Sequence, residues 1–423
     1  MTIERDRPEY LDASFIRGLT QRRISRRTAL AGAGALSLSA FLAACGISGQ
    51  QTVSHTNWVW DKAKKAGQLD FANWPLYMDV AEGTGGVETH PSLDKFTADT
   101  GIKVTYSEPI EDLAEFFAKI APSLQQGQPI GYDIIVITNG IQMTNLQSKK
   151  WLVELDPSQL GNFYKNASPR MQSRSFDAGN KFTIPWQSGL TGIGYNPKKT
   201  GREITSFNDL FDPAFKGKVG MFTNTQETGN FTLVGMGIKP DSSKPADWQK
   251  AADKLKQQRD SGILRKYYDQ SYAKALAGGD IWLTMAWSGD IFQANLSAGN
   301  EDLKFVVPNE GGSIWTDNMC IPVNAAHPVD AITYMNYVYQ PEIAAMLAEY
   351  IDYITPVPGA KAVIEKDAAA ATDQATKDGL LGTANSPLVF PTPEVFSKTS
   401  YYRELNANET TQWNSIFSSV ILT

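Results

Sequence analysis

The sequence predicts a two-lobed α/β protein, in which each lobe has a central mixed sheet flanked by helices. Residues 132–137 read YDIIVI and are apolar after the first two, as expected of a strand buried on both faces of a sheet. Before it, Leu113, Phe116, Ile120 and Leu124 recur at helical spacing. Strands that alternate with helices predict crossover connections, and 423 residues exceed what one hydrophobic core usually supports.

Residues 1–44 have the composition of an export signal. Seven arginines precede a mild apolar run at 29–44, which is too short and too weakly hydrophobic to be a permanent membrane span. SRRTAL at 25–30 is typical of a twin-arginine signal, and LAAC, ending at Cys45, is typical of a bacterial lipobox. We therefore predict that Cys45 is lipidated and that residues 45–66 tether an exported domain to the outer face of the cytoplasmic membrane.

Charge and residue usage restrict the ligand class. Without residues 1–44 the chain keeps 379 residues, with 32 basic and 41 acidic side chains and a formal charge of −9. This balance argues against nucleic acid as a partner and suits small cations. Cys320 is left without a disulfide partner, and the three histidines have no partners at metal-ligand spacing, so we expect no disulfide, metal or cofactor.

A glycine-containing strand is predicted to cross between the lobes. Residues 182–196 read FTIPWQSGLTGIGYN, and glycines inside strands mark bends or close backbone approach. A nucleotide-binding glycine loop is the alternative, but the spacing is not GxGxxG and no helix opens after it. The predicted boundaries are 67–189 with 318–362 for lobe 1, and 190–317 with 363–423 for lobe 2, including the alanine-rich segment 366–377.

Residues 311–322, reading GGSIWTDNMCIP, offer an aromatic ring and a carboxylate together. Trp315 and Asp317 are two residues apart in a strand-like segment, so their side chains fall on one face. A ring face attracts cations, and a carboxylate accepts charge-assisted hydrogen bonds from ammonium groups. The alternative is that Trp315 belongs to the core and Asp317 to a turn.

The order of several segments resembles that of the spermidine/putrescine-binding proteins of bacterial ABC importers, over nearly all of the chain from about residue 67. The matching segments are NWPLY (73–77), YDIIVIT (132–138), FTIPWQSGLTGIGYN (182–196), FNDLFDPAFKGKVGM (207–221), MAWSGD (285–290) and NEGGSIWTDNMCIP (309–322).

The resemblance implies a type II periplasmic-binding-protein-like fold, which encloses the ligand between lobes that close about a hinge of crossing strands. It also implies a set of ligand-binding residues. These are Trp74, Tyr77 and Thr138 in the first lobe, Glu227 and Trp287 in the second, and Trp315, Asp317 and Tyr353. The alternatives are that Trp74 and Tyr77 are packing residues and that Glu227 is a solvated loop residue.

Two positions depart from the family pattern. Asn224 stands where the family often has a second acidic residue, three positions before Glu227, and we include it among the candidate ligand contacts. Gly140 stands where the family has a tyrosine after the first-lobe hydroxyl. Both changes predict weaker recognition of one ammonium group.

We therefore expect a lipid-anchored, monomeric binding protein and not an enzyme. It would capture a polyamine and deliver it to a permease driven by an ATPase. One alternative is a receptor for another cationic or polar solute, such as an opine-like compound or an aminated sugar. Another is a secreted hydrolase using Asp317 and Glu227, although GxSxG and a metal-binding histidine pair are missing from the sequence.

Overall fold

The computed structural model describes Trp60 and residues 64–83, 87–298 and 302–422. The predicted export signal, Cys45 and most of the tether lie outside the described residues. Within the described part of the chain, no helix combines the length and the hydrophobicity needed to cross a bilayer.

The described residues form short strands and helices that alternate along much of the chain. The strands are β1 (Gln68–Ala72), β2 (Ala81–Glu82), β3 (Glu88–Thr89), β4 (Lys103–Ser107), β5 (Ile134–Thr138), β6 (Thr183–Tyr195), β7 (Val219–Phe222), β8 (Leu264–Tyr268), β9 (Leu283–Trp287), β10 (Lys304–Val306), β11 (Gly312–Cys320) and β12 (Thr399–Tyr401). The helices are α1 (Pro91–Thr100), α2 (Leu113–Gln125), α3 (Ile141–Ser148), α4 (Gly161–Asn166), α5 (Pro197–Thr200), α6 (Thr225–Gly235), α7 (Pro245–Asp260), α8 (Tyr272–Ala277), α9 (Ser288–Ala298), α10 (Pro328–Tyr337), α11 (Pro341–Ile351), α12 (Ala360–Ala370), α13 (Gln374–Asn385), α14 (Pro393–Ser397) and α15 (Ala407–Ile421).

One mixed sheet runs through both lobes in the order β4-β1-β5-β11-β6-β9-β7-β8. The first three strands are parallel to one another, and so are β9, β7 and β8. Between these halves, β11 is antiparallel to both β5 and β6, and β6 is antiparallel to β9. The long strands β6 and β11 therefore connect the two halves of the sheet, and all of their residues are buried.

Each half of the sheet has its own apolar core. Phe71, Trp186 and Tyr334 belong to the core of the first lobe, whereas Phe207 and Trp248 belong to that of the second. The four apolar residues at the start of β5 are fully buried, as the sequence predicts for a central strand.

The alanine-rich segment lies in the first lobe, so the prediction that it returns to the second lobe was wrong. Helices α12 and α13 place Ile364 and Leu380 in the first-lobe core. The connection from α11 to α12 spans only residues 352–359, which brings α12 back against α11 instead of across the cleft. The chain returns later, because Trp413 and Phe417 of α15 are buried in the second-lobe core. We propose that lobe 1 extends to about residue 390.

Candidate ligand-binding site

The first-lobe side of the site is built at the carboxyl end of β5. Thr138 is the last residue of that strand and pairs with Asp317 of β11. The Thr138 hydroxyl donates a hydrogen bond of 2.5 Å to the Asp317 carboxylate. The Tyr77 hydroxyl approaches the same carboxylate from the loop after β1. Three predicted residues therefore meet where β1 and β5 end, as expected for parallel strands.

Burial controls the charge of Asp317. Loss of hydration raises the pKa of its carboxyl from 3.8 to about 6, against the opposing effect of the Thr138 and Tyr77 hydroxyls. The carboxylate in turn raises the pKa of Tyr77, although burial is the larger cause. A cation close to this carboxyl would lower its pKa and favour the ionised form.

Four aromatic rings follow one another across the site. Tyr77 meets Tyr353 edge-on with ring centroids 5.5 Å apart, and Tyr353 lies 5.5 Å from Trp315. Trp315 is followed by Trp287 at 6.3 Å. The rings come from the first lobe, from β11 and from the end of β9, so four of the five predicted aromatic residues form one continuous wall across both lobes.

Gly189 makes the position of Trp315 sterically accessible. The two residues are directly paired between β6 and β11, and the Trp315 indole lies across the Gly189 backbone. A Cβ atom at residue 189 would lie 2.3 Å from the indole ring. The glycine that sequence analysis assigned to close approach is therefore needed to accommodate this tryptophan.

Glu227 provides a second buried carboxylate from the first turn of α6. Its Oε1 accepts a 2.6 Å hydrogen bond from Trp287 Nε1 and another from the Thr191 hydroxyl. Burial raises the pKa of Glu227 to about 7, although hydroxyl and indole donors, including Tyr402, act in the opposite direction. The interpretation of Glu227 as a solvated loop residue was wrong, because the side chain is buried in a helix.

Asp290 is a third carboxylate, partly buried, which sequence analysis missed. Its two oxygens accept hydrogen bonds of 2.7 Å from the hydroxyls of Tyr353 and Tyr272, and burial raises its pKa. The available signal was its place in the MAWSGD segment, three residues after Trp287 and in the first turn of α9. The same rule that located Thr138 at a strand end applies there.

Two predicted residues have other principal contacts. Trp74 follows β1 and donates from Nε1 to the Val136 carbonyl at 3.1 Å, and its ring packs on first-lobe residues. Asn224 is exposed, and its Oδ1 accepts the Glu227 backbone N–H at 3.0 Å. Asn224 thus caps α6 and is not brought among the rings and carboxylates.

The space at Gly140 is filled from the opposite lobe. A Cβ atom on Gly140 would lie 2.2 Å from the Gln226 carboxamide, and the Ile141 backbone N–H donates to Gln226 Oε1 at 2.9 Å. The Ile141 side chain also packs in the second-lobe core. The departure at Gly140 therefore coincides with a contact that holds α3 against α6.

The site is enclosed in this conformation. Tyr77, Glu227, Trp315, Asp317 and Tyr353 are each 6% exposed or less. Burial of this kind is expected of a site that a ligand enters while two lobes are apart and that is enclosed when they come together.

The fold and the site can now be compared with known proteins. The family model of bacterial extracellular solute-binding proteins matches residues 92–376, which is more than half of the chain. This chain belongs to that family. As a solute-binding protein it has a two-lobed α/β fold, so the family and fold predicted from the sequence are confirmed.

Relatives of this solute-binding protein are named for polyamine binding, and one similar solved structure is named as an ABC transporter. The spermidine/putrescine-binding periplasmic protein of Salmonella typhimurium is 30% identical over 302 residues, which cover 71% of this chain and 81% of that protein. The putrescine-binding periplasmic protein SpuD of Pseudomonas aeruginosa is 27% identical over 347 residues, covering 77% and 88%. A putative spermidine/putrescine ABC transporter structure from Listeria monocytogenes is 25% identical with a TM-score of 0.68, covering 84% and 99%. The predicted role as a substrate-binding protein is confirmed.

Proposed function

We propose that this solute-binding protein captures a polyamine of the putrescine/spermidine class between its lobes and delivers it to the permease of an ABC importer, which an ATPase drives. The observation that carries the proposal is the combination of the buried carboxylates Asp317 and Glu227 and the partly buried Asp290 with four consecutive aromatic rings. No lysine or arginine is among the described groups that act on the pKa of Asp317 or Asp290, and none is among the described groups that act most strongly on Glu227. Such a site lacks the counter-charge that buried carboxylates require, and a polycation supplies it.

The chemistry of a polyamine fits both components of the site. Ammonium groups pair with carboxylates, while the methylenes between them pack on the rings, which also attract the charges. Each cation-π contact contributes about 0.5 to 2 kcal/mol, so several are needed beside the carboxylates for micromolar affinity. The names of the relatives from Salmonella typhimurium and Pseudomonas aeruginosa support the same ligand class.

The remaining parts of the proposal concern its cellular setting. Export through the twin-arginine signal, lipidation of Cys45 and attachment to the outer face of the cytoplasmic membrane follow from sequence features of residues 1–45. We propose that the protein acts as a monomer and changes no bond in its ligand. Mass spectrometry of lipid-modified protein from membranes tests the anchor, and a Cys45→Ala variant that stays on the membrane would refute it.

Calorimetry on protein freed of bound ligand tests the function. We expect heat and 1:1 stoichiometry with putrescine or spermidine, and recovery of the ligand unchanged after incubation. An opine and an aminated sugar serve as comparison ligands. The proposal fails if no polyamine binds, if the comparison ligands bind more tightly, or if the recovered ligand is chemically altered.

A further inference from the structure

The fully buried Thr191 lies between both tryptophans and the second-lobe carboxylate. Its backbone pairs with Trp287 of β9 on one side and with Ser313 of β11 on the other. Directly paired residues place their side chains on the same face of a sheet. Thr191 therefore lies at the middle of the crossing strand β6, where groups from three strands and α6 meet.

The hydrogen bonds of Thr191 have a fixed direction. Trp315 Nε1 lies 3.2 Å from Thr191 Oγ1, and an indole nitrogen can only donate. The single Thr191 proton is directed at the Glu227 carboxylate. The result is a relay in which Trp315 donates to Thr191 and Thr191 donates to Glu227.

We propose that Thr191 is a positioning residue, which couples the orientation of the Trp315 ring to the ionised state of Glu227. The inference rests on the proposed function, in which that ring and that carboxylate hold one cationic ligand. An ionised carboxylate accepts more strongly than a neutral one, and a hydroxyl that donates strongly becomes a better acceptor for the next donor. A ligand ammonium near Glu227 would therefore also fix the aromatic wall.

Three other groups around Glu227 also interact with its carboxylate. Tyr402 donates a further hydrogen bond to the carboxylate, Asp317 opposes its ionisation, and the Tyr272 hydroxyl lies within its electrostatic reach. The Thr191 hydroxyl also contacts Tyr402, so its removal changes the surroundings of that phenol as well, whereas Asp317 and Tyr272 keep their own contacts. Removal of the hydroxyl takes away one donor that lowers the pKa of Glu227, so that pKa should rise further.

The test variant is Thr191→Val, which keeps the branched shape and loses the hydroxyl. A matched control is available on the same strand, because Thr183 is also fully buried and donates from Oγ1 to the Asp177 carboxylate at 2.8 Å. Thr183→Val therefore reproduces the general cost of removing a buried threonine–carboxylate hydrogen bond. Thr191→Ser restores the hydroxyl and serves as the rescue.

Two measurements use the ligand-free protein. NMR follows the Trp315 indole N–H resonance and the titration of the Glu227 carboxyl. We expect Thr191→Val to shift the indole resonance and to raise the titration midpoint of Glu227, whereas Thr191→Ser and Thr183→Val leave both close to those of the wild type.

A third measurement is putrescine and spermidine affinity against pH by calorimetry. Thr191→Val should weaken binding about tenfold near pH 7, with a smaller loss at higher pH.

The relay is refuted if Thr191→Val leaves both ligand-free signals unchanged, or if Thr183→Val alters them to the same extent. It is also refuted if Thr191→Ser folds but its indole resonance and its Glu227 titration midpoint do not return to the wild-type values. If the wild type binds no polyamine, the proposed function fails, and the ligand-free measurements still decide whether the relay exists.

Discussion

Replacement of Asp317 by asparagine separates the binding role of this carboxylate from its effect on stability. Asparagine keeps the size of the side chain and one oxygen that can accept from Thr138. It removes a charge that is buried between the lobes. Ligand binding and the stability of the ligand-free protein should therefore change in opposite directions.

The magnitude follows from the raised pKa of Asp317. Its carboxyl has a pKa of about 6 in the folded protein against an ordinary value of 3.8, which corresponds to about 3 kcal/mol. Because the folded protein binds this proton more tightly than the unfolded chain does, the charge destabilises the fold above about pH 6, and the penalty disappears as pH falls below the ordinary pKa. Asp317→Asn should therefore stabilise the ligand-free protein by up to about 3 kcal/mol near pH 7.5 and by little near pH 3.5.

Thermal unfolding of ligand-free protein at both pH values measures the stability effect. Calorimetry at pH 7.5 should show a 10- to 100-fold loss of polyamine affinity, since a charge-assisted hydrogen bond contributes about 1.5 to 3 kcal/mol. The matched control is Asp79→Asn. Asp79 is equally buried with a pKa of about 6, but its partner is Ser92.

The control should alter the pH dependence of stability without altering affinity. If Asp317→Asn binds polyamines as tightly as the wild type, the carboxylate is structural and the reasoning fails. If it destabilises the ligand-free protein at pH 7.5, the assigned cost of burying the charge is wrong.

Three further predictions concern the rings, the contact between lobes and pH. Trp315→Ala should weaken polyamine binding tenfold or more, on the order of 1.4 kcal/mol, with retained circular dichroism; unchanged calorimetric affinity would identify the ring as packing. Gly140→Ala should lower polyamine affinity several-fold, because φ is 139° and the added Cβ would meet Gln226. If the clash with Gln226 is the cause, the double variant Gly140→Ala with Gln226→Ala should recover part of the lost affinity. Affinity should fall as pH decreases from 7.5 to 5.5, because the site carboxyls with pKa values of about 6 and 7 must release protons to pair with a cation. Calorimetry in buffers of different ionisation heat should show that release, and affinity independent of pH would contradict it.

Local pattern was sufficient to predict the parts of the site that lie on strands. The buried β5 and the two-residue spacing of Trp315 and Asp317 are short-range features, and the structure places these two side chains in the same site. Thr138 was implied by the family resemblance, and its place at the end of β5 agrees with the location of ligand sites in such sheets. For β5 and for the spacing of Trp315 and Asp317, one element and its hydrophobic pattern carried the information.

At Asn224 the local sequence indicates a helix cap, whereas the family alignment indicates a ligand contact. The sequence from Asn224 to Glu227 has an N-cap residue followed three positions later by glutamate, which is typical of a helix start. Asn224 does accept the Glu227 N–H, but the Glu227 side chain instead meets Thr191 and Trp287. The capping pattern explains why asparagine suits this position without any contact to a ligand.

Other parts of the site depend on contacts between distant segments. Asp290 acquires its role from Tyr353, which is 63 residues away, and Tyr402 reaches Glu227 from beyond the alanine-rich helices. Neither pairing has a periodicity or a spacing that the sequence could reveal. The return of α12 to the first lobe likewise depends on which apolar surface is left uncovered, a property of the assembled core.

The position of Asp317 depends both on a local sequence feature and on a contact between distant segments. The pairing of β11 with β6 shifts register between Asp317, which faces Gln187, and Asn318, which faces Pro185. Proline has no N–H to donate to the ladder, and a bulge bends the strand and redirects the neighbouring side chain. Asn318 Nδ2 donates to the Thr316 carbonyl at 2.8 Å, which also accepts the Asn139 backbone N–H. Pro185 was visible in the sequence, but its place opposite the residue after Asp317 follows only from the pairing of the two crossing strands, so the irregularity in that pairing lies at the carboxylate that we propose to bind the ligand.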